Sequence, residues 1–234
     1  MIIFLNKVLL QSIGPLLGAT AAFGFGICIN ERILKKERNS HINFLLITFH
    51  SYKVELKILF EKIEEKLEAV KFLEEFCKRK KILPDNMSEE VLRTRSIDYY
   101  TKPLTINTAN FAFATNYPDF LISLVKVLSS LEDLTYGLNQ THNSSMLFSE
   151  KYKDKEPSLQ DFANFLTLTY ENHNLLKRKI CESVYNIKIC KENLKKINEN
   201  NLKYKLIEIP SIDDLINFVE RCQKFVNNNG AENL

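Results

Sequence analysis

From Val8 to Ile29 the chain reads VLLQSIGPLLGATAAFGFGICI, without a single charge and with only Gln11, Ser12 and Thr20 polar. A helix of that length measures about 33 Å at about 1.5 Å per residue, enough to cross a hydrocarbon core of about 30 Å. Four of the six glycines in the whole chain, Gly14, Gly18, Gly24 and Gly26, fall inside it. Glycine weakens a helix in water but is common in membrane-spanning helices. The run therefore predicts one N-terminal transmembrane helix over residues 1–30.

Gly14 and Gly18 form a G-x-x-x-G pair, and Ala22 extends the row by a further turn. Small residues at this spacing let two helix backbones approach closely in lipid, so Gly14, Gly18 and Ala22 are the candidate packing face of the span. Pro15 removes one backbone hydrogen bond and favours a kink. Three readings compete with the anchor: a cleaved signal peptide, with Lys7 as its basic end and Ala19-Thr20-Ala21 as an A-x-A site; a buried helix of a soluble core, which rarely stays uncharged for over twenty residues; and a membrane-inserting toxin helix, which has the same sequence properties as an anchor. The apolar run continues for eight residues beyond Ala21 and then meets a basic cluster, which is the pattern of a stop-transfer segment.

That cluster is Arg32, Lys35, Lys36 and Arg38, in a basic juxtamembrane segment spanning 31–39. Only Lys7 and the amino terminus precede the span. Positive charge is retained on the cytoplasmic side, which predicts a short N-terminus outside and the large C-terminal part inside a bacterial inner membrane. The same four cations are the candidate contacts to anionic lipid headgroups.

Residues 40–226 read as one helical cytoplasmic domain. From about Ser40 to Lys80 the apolar residues keep a seven-residue register. Ile42, Phe49, Leu56, Ile63, Val70 and Cys77 fall at a, Leu45, Tyr52, Leu59 and Leu73 at d with Lys66 the exception, and Leu46, Phe60 and Leu67 at e. A stripe of a, d and e is wider than a two-stranded seam and suits packing inside a bundle. Lys78-Arg79-Lys80-Lys81 supply cations for the C-terminal dipole.

The stretch 82–117 is predicted as shorter pieces, with Ser88 and Thr108 as helix caps and Phe111 and Phe113 in the second. Pro118 is placed to open a helix with a stripe of Phe120, Leu121, Leu124, Val125, Leu128, Leu131, Leu134 and Leu138. Gly137 and the polar run Asn139–Ser145 are expected to end or weaken it. Ser158, with Asp161 three residues on, marks the start of about forty helical residues that bury Phe162, Phe165, Leu166, Thr169, Leu176, Ile180, Val184, Ile187, Leu194 and Ile197. Asn198–Asn201 breaks this helix, and 202–209 alternates weakly. Ser211 is the expected cap of a last helix, with Asp213 and Asp214 in its first turn and Ile212, Leu215, Ile216, Val219, Cys222 and Val226 as its apolar face. Residues 227–234 read as a disordered tail. The fold class is thus all-α: one transmembrane helix followed by a bundle of long antiparallel, coiled-coil-like helices.

Signatures of chemistry are missing from the sequence. It holds no G-x-x-x-x-G-K-[ST], no G-x-G-x-x-G, no G-x-S-x-G and no H-E-x-x-H. His41, His50, His142 and His173 lack metal-ligand spacing and read as surface or loop residues, and the five cysteines form no C-x-x-C. Cys77, Cys181, Cys190 and Cys222 fall close to apolar stripes and read as small core residues. Glu64-Glu65 and Glu74-Glu75 read as solvated charge. The basic residues Lys78–Lys81, Arg93 and Arg95 read as helix ends, and a net charge of +3 is too small to imply nucleic-acid binding. No catalytic residue, cofactor or metal is assigned.

The layout resembles that of single-pass bacterial membrane proteins. The likeness is architectural, rests on no motif and transfers no site residue. It implies a membrane-anchored interaction or scaffold protein whose partners are the lipid bilayer and another protein or a second copy. The alternative is a membrane-perturbing effector, toxin-like or part of antiviral defence, in which the helical domain controls self-association of the Gly-rich span.

Overall fold

The computed structural model describes the backbone of residues 2–84, 116–210 and 212–230, and the side chains of 23–84, 116–210 and 212–228 within it. Among the described residues there are four α-helices and no strand: α1 (Ile2–Lys80), α2 (Pro118–Lys151), α3 (Leu159–Ile197) and α4 (Asp213–Gly230), with a short π-helical turn (Asn198–Leu202) directly after α3. The expected pieces within 85–115, with Ser88, Arg93, Arg95, Thr108, Phe111 and Phe113, lie outside the described residues. So do Ser211 and residues 231–234.

The heptad register of α1 translates directly into burial. Every a residue from Ile42 to Cys77 is buried, as are Leu45, Tyr52, Leu59 and Leu73 at d and Leu46, Phe60 and Leu67 at e. The helix does not begin at Ser40, however. It runs unbroken from Ile2 for 79 residues, because 31–39 contains no proline, glycine or β-branched run that would stop it. Its C-terminal turn carries Lys78, Arg79 and Lys80, and Lys81 then enters the left-handed region at φ 55° with its N–H bonded to the Cys77 carbonyl.

Helix α3 is the central element, packing against α2, α1 and α4. Its neighbours α1 and α2 both run antiparallel to it: Lys177 of α3 meets Glu64 of α1, while Ser183 and Asn186 reach back to the Ser130 and Lys126 carbonyls of α2. The start of α3 is fixed as the sequence indicates. Ser158 accepts from the Asp161 N–H at 3.1 Å and donates its hydroxyl to the Asp161 carboxylate at 2.6 Å.

Helix α2 opens with Pro118 in its first turn but does not weaken at Gly137. The polar run continues as helix, and within it Thr141, Ser144, Ser145 and Ser149 each satisfy their hydroxyl by a hydrogen bond to the carbonyl four residues back. Gly137 is a packing residue. A Cβ there would stand 3.0 Å from a methyl at the end of the Leu176 side chain, so the glycine lets Leu176 seat closely against α2. The buried stripe also differs from the expected one: Val127 is inside, whereas Val125 is 55% exposed.

Between the π-helical turn and α4 the chain is extended. Leu202, Tyr204, Leu206 and Ile209 pack inward, while Lys203, Lys205 and Ile207 face out. Two asparagines hold this strap. Asn198, 8% exposed, accepts from the Tyr204 N–H at 2.8 Å and donates to the Tyr204 carbonyl at 3.0 Å. Asn43 of α1 accepts from the Ile207 N–H at 2.9 Å and donates to the Lys205 carbonyl at 3.2 Å. Each amide thus satisfies a donor and an acceptor that strand pairing would otherwise supply.

Helix α4 lies along α3 and α1. Its first hydrogen bonds go to the Ile212 carbonyl, and Asp213 and Asp214 occupy the first turn as expected. Its buried face is Leu215, Phe218 and Cys222; Ile212 and Ile216 are exposed. The rotation is set by Phe218, whose ring packs edge-on against Phe60 of α1 at 5.4 Å. The helix extends through Gly230, beyond the expected boundary at residue 226.

Candidate functional site

Two regions hold residues that the fold itself does not explain. The first is the N-terminal part of α1. Every residue from Phe23 to Arg38 is exposed, including Phe23 and Phe25 at 72% each, and Ile42 is the first buried residue among the described side chains of the helix. This part of the rod has no described neighbour from the bundle. Arg32, Lys35 and Lys36 stand three and four residues apart and share one face, with Arg38 beside them, and all four are exposed. Gly14, Gly18 and Ala22 lie on the same helix, but their side chains are outside the described residues. Among the described residues no helix is long and apolar enough to cross a membrane. The expected span is not supported by them, and the side chains of 8–22, which form most of it, fall outside that description.

The second region is a cleft of about 250 Å³ beside the strap. His50 and Lys53 of α1 and Lys188 and Lys191 of α3 line one side; Ile209, Pro210, Leu215, Ile216 and Val219 line the other, with Glu220 also on its wall. The cations are unevenly compensated. Lys188 donates to the Gln223 side-chain oxygen and lies 3.9 Å from Glu192. Lys53 and Lys191 form no ion pair among the described residues. Burial, and then repulsion from Lys191, hold Lys53 below the ordinary lysine range. Burial, followed by Lys53 and Lys191, likewise lowers the His50 imidazole.

A further cleft of about 370 Å³ sits where α2 turns into α3. Phe148 stacks on Phe165 at 4.0 Å there, and Leu147 (67% exposed) and Leu168 line the opening. It is an apolar groove edged by Lys151, Tyr152 and Asp161.

Several other polar groups tie the helices together or are buried between them. Glu64 accepts from Lys177 of α3 and Arg221 of α4, so it is an inter-helix anchor rather than solvated charge. His173 is not a surface residue: it is fully buried on α3, donating from Nδ1 to the Thr169 carbonyl at 2.7 Å, with Nε2 unpartnered. Cys77, Cys181, Cys190 and Cys222 are buried, and Cys28 is exposed. Burial pushes the Cys190 thiol up to about 12, which leaves it unreactive at neutral pH. Among the described residues no group of three or more His, Cys, Asp or Glu side chains converges as a metal site would require.

No local pattern in the chain marks the cleft. Lys188 and Lys191 are three apart on one helix, but Lys53 and His50 come from a helix more than a hundred residues earlier, and only the antiparallel register of α1 and α3 brings them together. No protein-family model, curated protein or solved structure matches this chain.

Proposed function

We propose that this chain is a single-pass, membrane-anchored helical interaction protein. Residues 8–29 cross the bilayer, Arg32, Lys35, Lys36 and Arg38 meet the anionic leaflet, and the bundle presents a protein-binding surface on the cytoplasmic side without a catalytic role. The observation that carries this reading is the continuity of α1. The rod that leaves the bundle at Ile42 keeps its exposed apolar residues Phe23, Phe25, Ile27 and Ile29 in one unbroken helix with the uncharged run. Large side chains exposed in this way cost free energy in water and gain it in lipid. The apolar groove around Phe148, Leu147 and Leu168 supports the binding half of the proposal.

The test is fractionation with an alkaline wash, reading the intact mass of the recovered chain, followed by cross-linking in the membrane. Full-length protein that resists the wash and cross-links to a second polypeptide is the expected result. Release by the wash, or a mass shortened near Ala21, overturns the anchor. Depolarisation on overexpression that disappears in Gly14→Leu or Gly18→Leu would replace the scaffold by a membrane-perturbing effector.

A further inference from the structure

The cleft between His50, Lys53, Lys188 and Lys191 and the end of the strap gathers four basic side chains from two helices, and Lys53 and Lys191 make no ion pair among the described residues. Lys53 and Lys191 repel each other, both act on His50, and Lys53 is partly withdrawn from water. The acids nearby are committed or too few: Glu192 lies against Lys188, and Glu220 is the single carboxylate on the wall. Lysines held in this way find their missing counter-charge in an anion, and an ammonium is a common point-charge partner for phosphate. The facing wall of Ile209, Pro210, Leu215, Ile216 and Val219 offers no partner to a bare ion but suits the carbon part of a larger one. At about 250 Å³ the space is below the roughly 300 Å³ at which pockets for drug-sized ligands begin, so the ligand is small.

We propose that this cleft binds a small organic phosphate, its phosphoryl oxygens held by Lys53, Lys191 and Lys188 with His50 alongside, and its carbon part seated against Ile209, Ile216 and Val219. With the span proposed above, which this step rests on, the phosphate belongs to a soluble molecule rather than to a lipid headgroup. Lys53 follows Ile29 by twenty-four residues of continuous helix, about 36 Å of rise.

The full chain in phosphatidylcholine nanodiscs, at about 150 mM salt, is titrated with phenyl phosphate, inorganic phosphate and benzyl alcohol, following thermal unfolding and phosphorus resonance line width. Phenyl phosphate is expected to stabilise saturably, inorganic phosphate more weakly and benzyl alcohol not at all. The double variant Lys53→Gln/Lys191→Gln is expected to lose at least tenfold in affinity while unfolding no earlier than the parent without ligand, since the repulsion is removed. Lys126→Gln, on the exposed side of α2, keeps full affinity. Absence of saturable stabilisation by either phosphate, or unchanged affinity in the double variant, overturns the site. Equal binding of phenyl and inorganic phosphate overturns the apolar half. Loss of phenyl phosphate binding when phosphatidic acid is added to the nanodisc reassigns the cleft to a lipid headgroup and overturns the soluble ligand.

Discussion

The Arg221 guanidinium of α4 donates to the Glu64 carboxylate of α1, 157 positions earlier in the chain. Lys177 of α3 reaches the same carboxylate oxygen at 2.7 Å, and both cations lie over the Phe60 ring at 5.0 Å from its centroid. One acid therefore ties three helices above one aromatic ring. Lys177 and Glu64 are only 23% and 26% exposed, so this pair is less screened than the surface ladder of α1. Glu64→Gln is expected to destabilise the bundle by about 1–2 kcal/mol. Glu75→Gln, which loses only the exposed pair with Arg79, should change stability by less than about 0.5 kcal/mol. Urea unfolding of both variants decides the matter, and equal losses would show Glu64 to be an ordinary surface acid.

Gly137 separates helix propensity from packing. An alanine gains about 1 kcal/mol of helix propensity, but its methyl must displace the Leu176 side-chain end by a few tenths of an ångström. Gly137→Ala should therefore fall within about 1 kcal/mol of the parent. Gly137→Leu has no room and should cost about 2 kcal/mol or more. Thermal melts that rank the leucine variant at or above the alanine one would disprove the close approach of α2 and α3.

His173 makes the bundle sensitive to acid. Burial lowers its pKa below 6.5, Lys66 adds to the lowering, and the bond to the Thr169 carbonyl opposes it without reversing it. The unfolded chain therefore binds the proton more readily than the native one. Stability is fully present above about pH 6.5 and declines as pH falls from there toward the folded-state pKa. His50 shifts in the same direction, so the difference between parent and variant is the informative quantity. His173→Leu should flatten the slope of unfolding free energy between about pH 6.5 and 5; an unchanged slope would assign the sensitivity elsewhere.

The strap depends on two side chains and one backbone angle. Asn198→Ala removes both bonds to Tyr204 from a buried site and should cost about 1–3 kcal/mol. Asn43→Ala should release the Ile207 amide while leaving that of Tyr204 protected, which hydrogen exchange resolves residue by residue. Lys203 sits at φ 51° at the end of the π-helical turn, and Lys203→Gly should stabilise the chain by up to about 1 kcal/mol. A destabilised glycine variant would contradict the left-handed conformation.

Burial of the helices was legible wherever one periodic pattern dominated. The a, d and e residues of α1 and the stripe of α3 from Phe162 to Leu194 were readable because each is set by spacing along one helix. The reading failed where two patterns overlapped. On α4 the expected face of Ile212, Leu215, Ile216, Val219, Cys222 and Val226 is buried at Leu215 and Cys222 and partly at Val219 and Val226, but Ile212 and Ile216 are exposed and Phe218, packed on Phe60, is buried instead. On α2 a glycine and a polar run imitate a helix end, although their hydroxyls bond back to the helix and Gly137 seats Leu176.

The all-helical class, the starts at Pro118 and Ser158, the core face of α1 and the uncharged run with its basic flank are all readable from the order of residues. These are local properties, fixed by periodicity, capping and composition within a few turns. That Glu64 joins three helices, that Asn43 and Asn198 hold the strap, and that His50, Lys53, Lys188 and Lys191 surround one cleft emerge only from the packed helices. Each of these depends on which turn of one helix lies opposite which turn of another. That register is chosen by the packing of the whole core, and no residue in the sequence carries it alone.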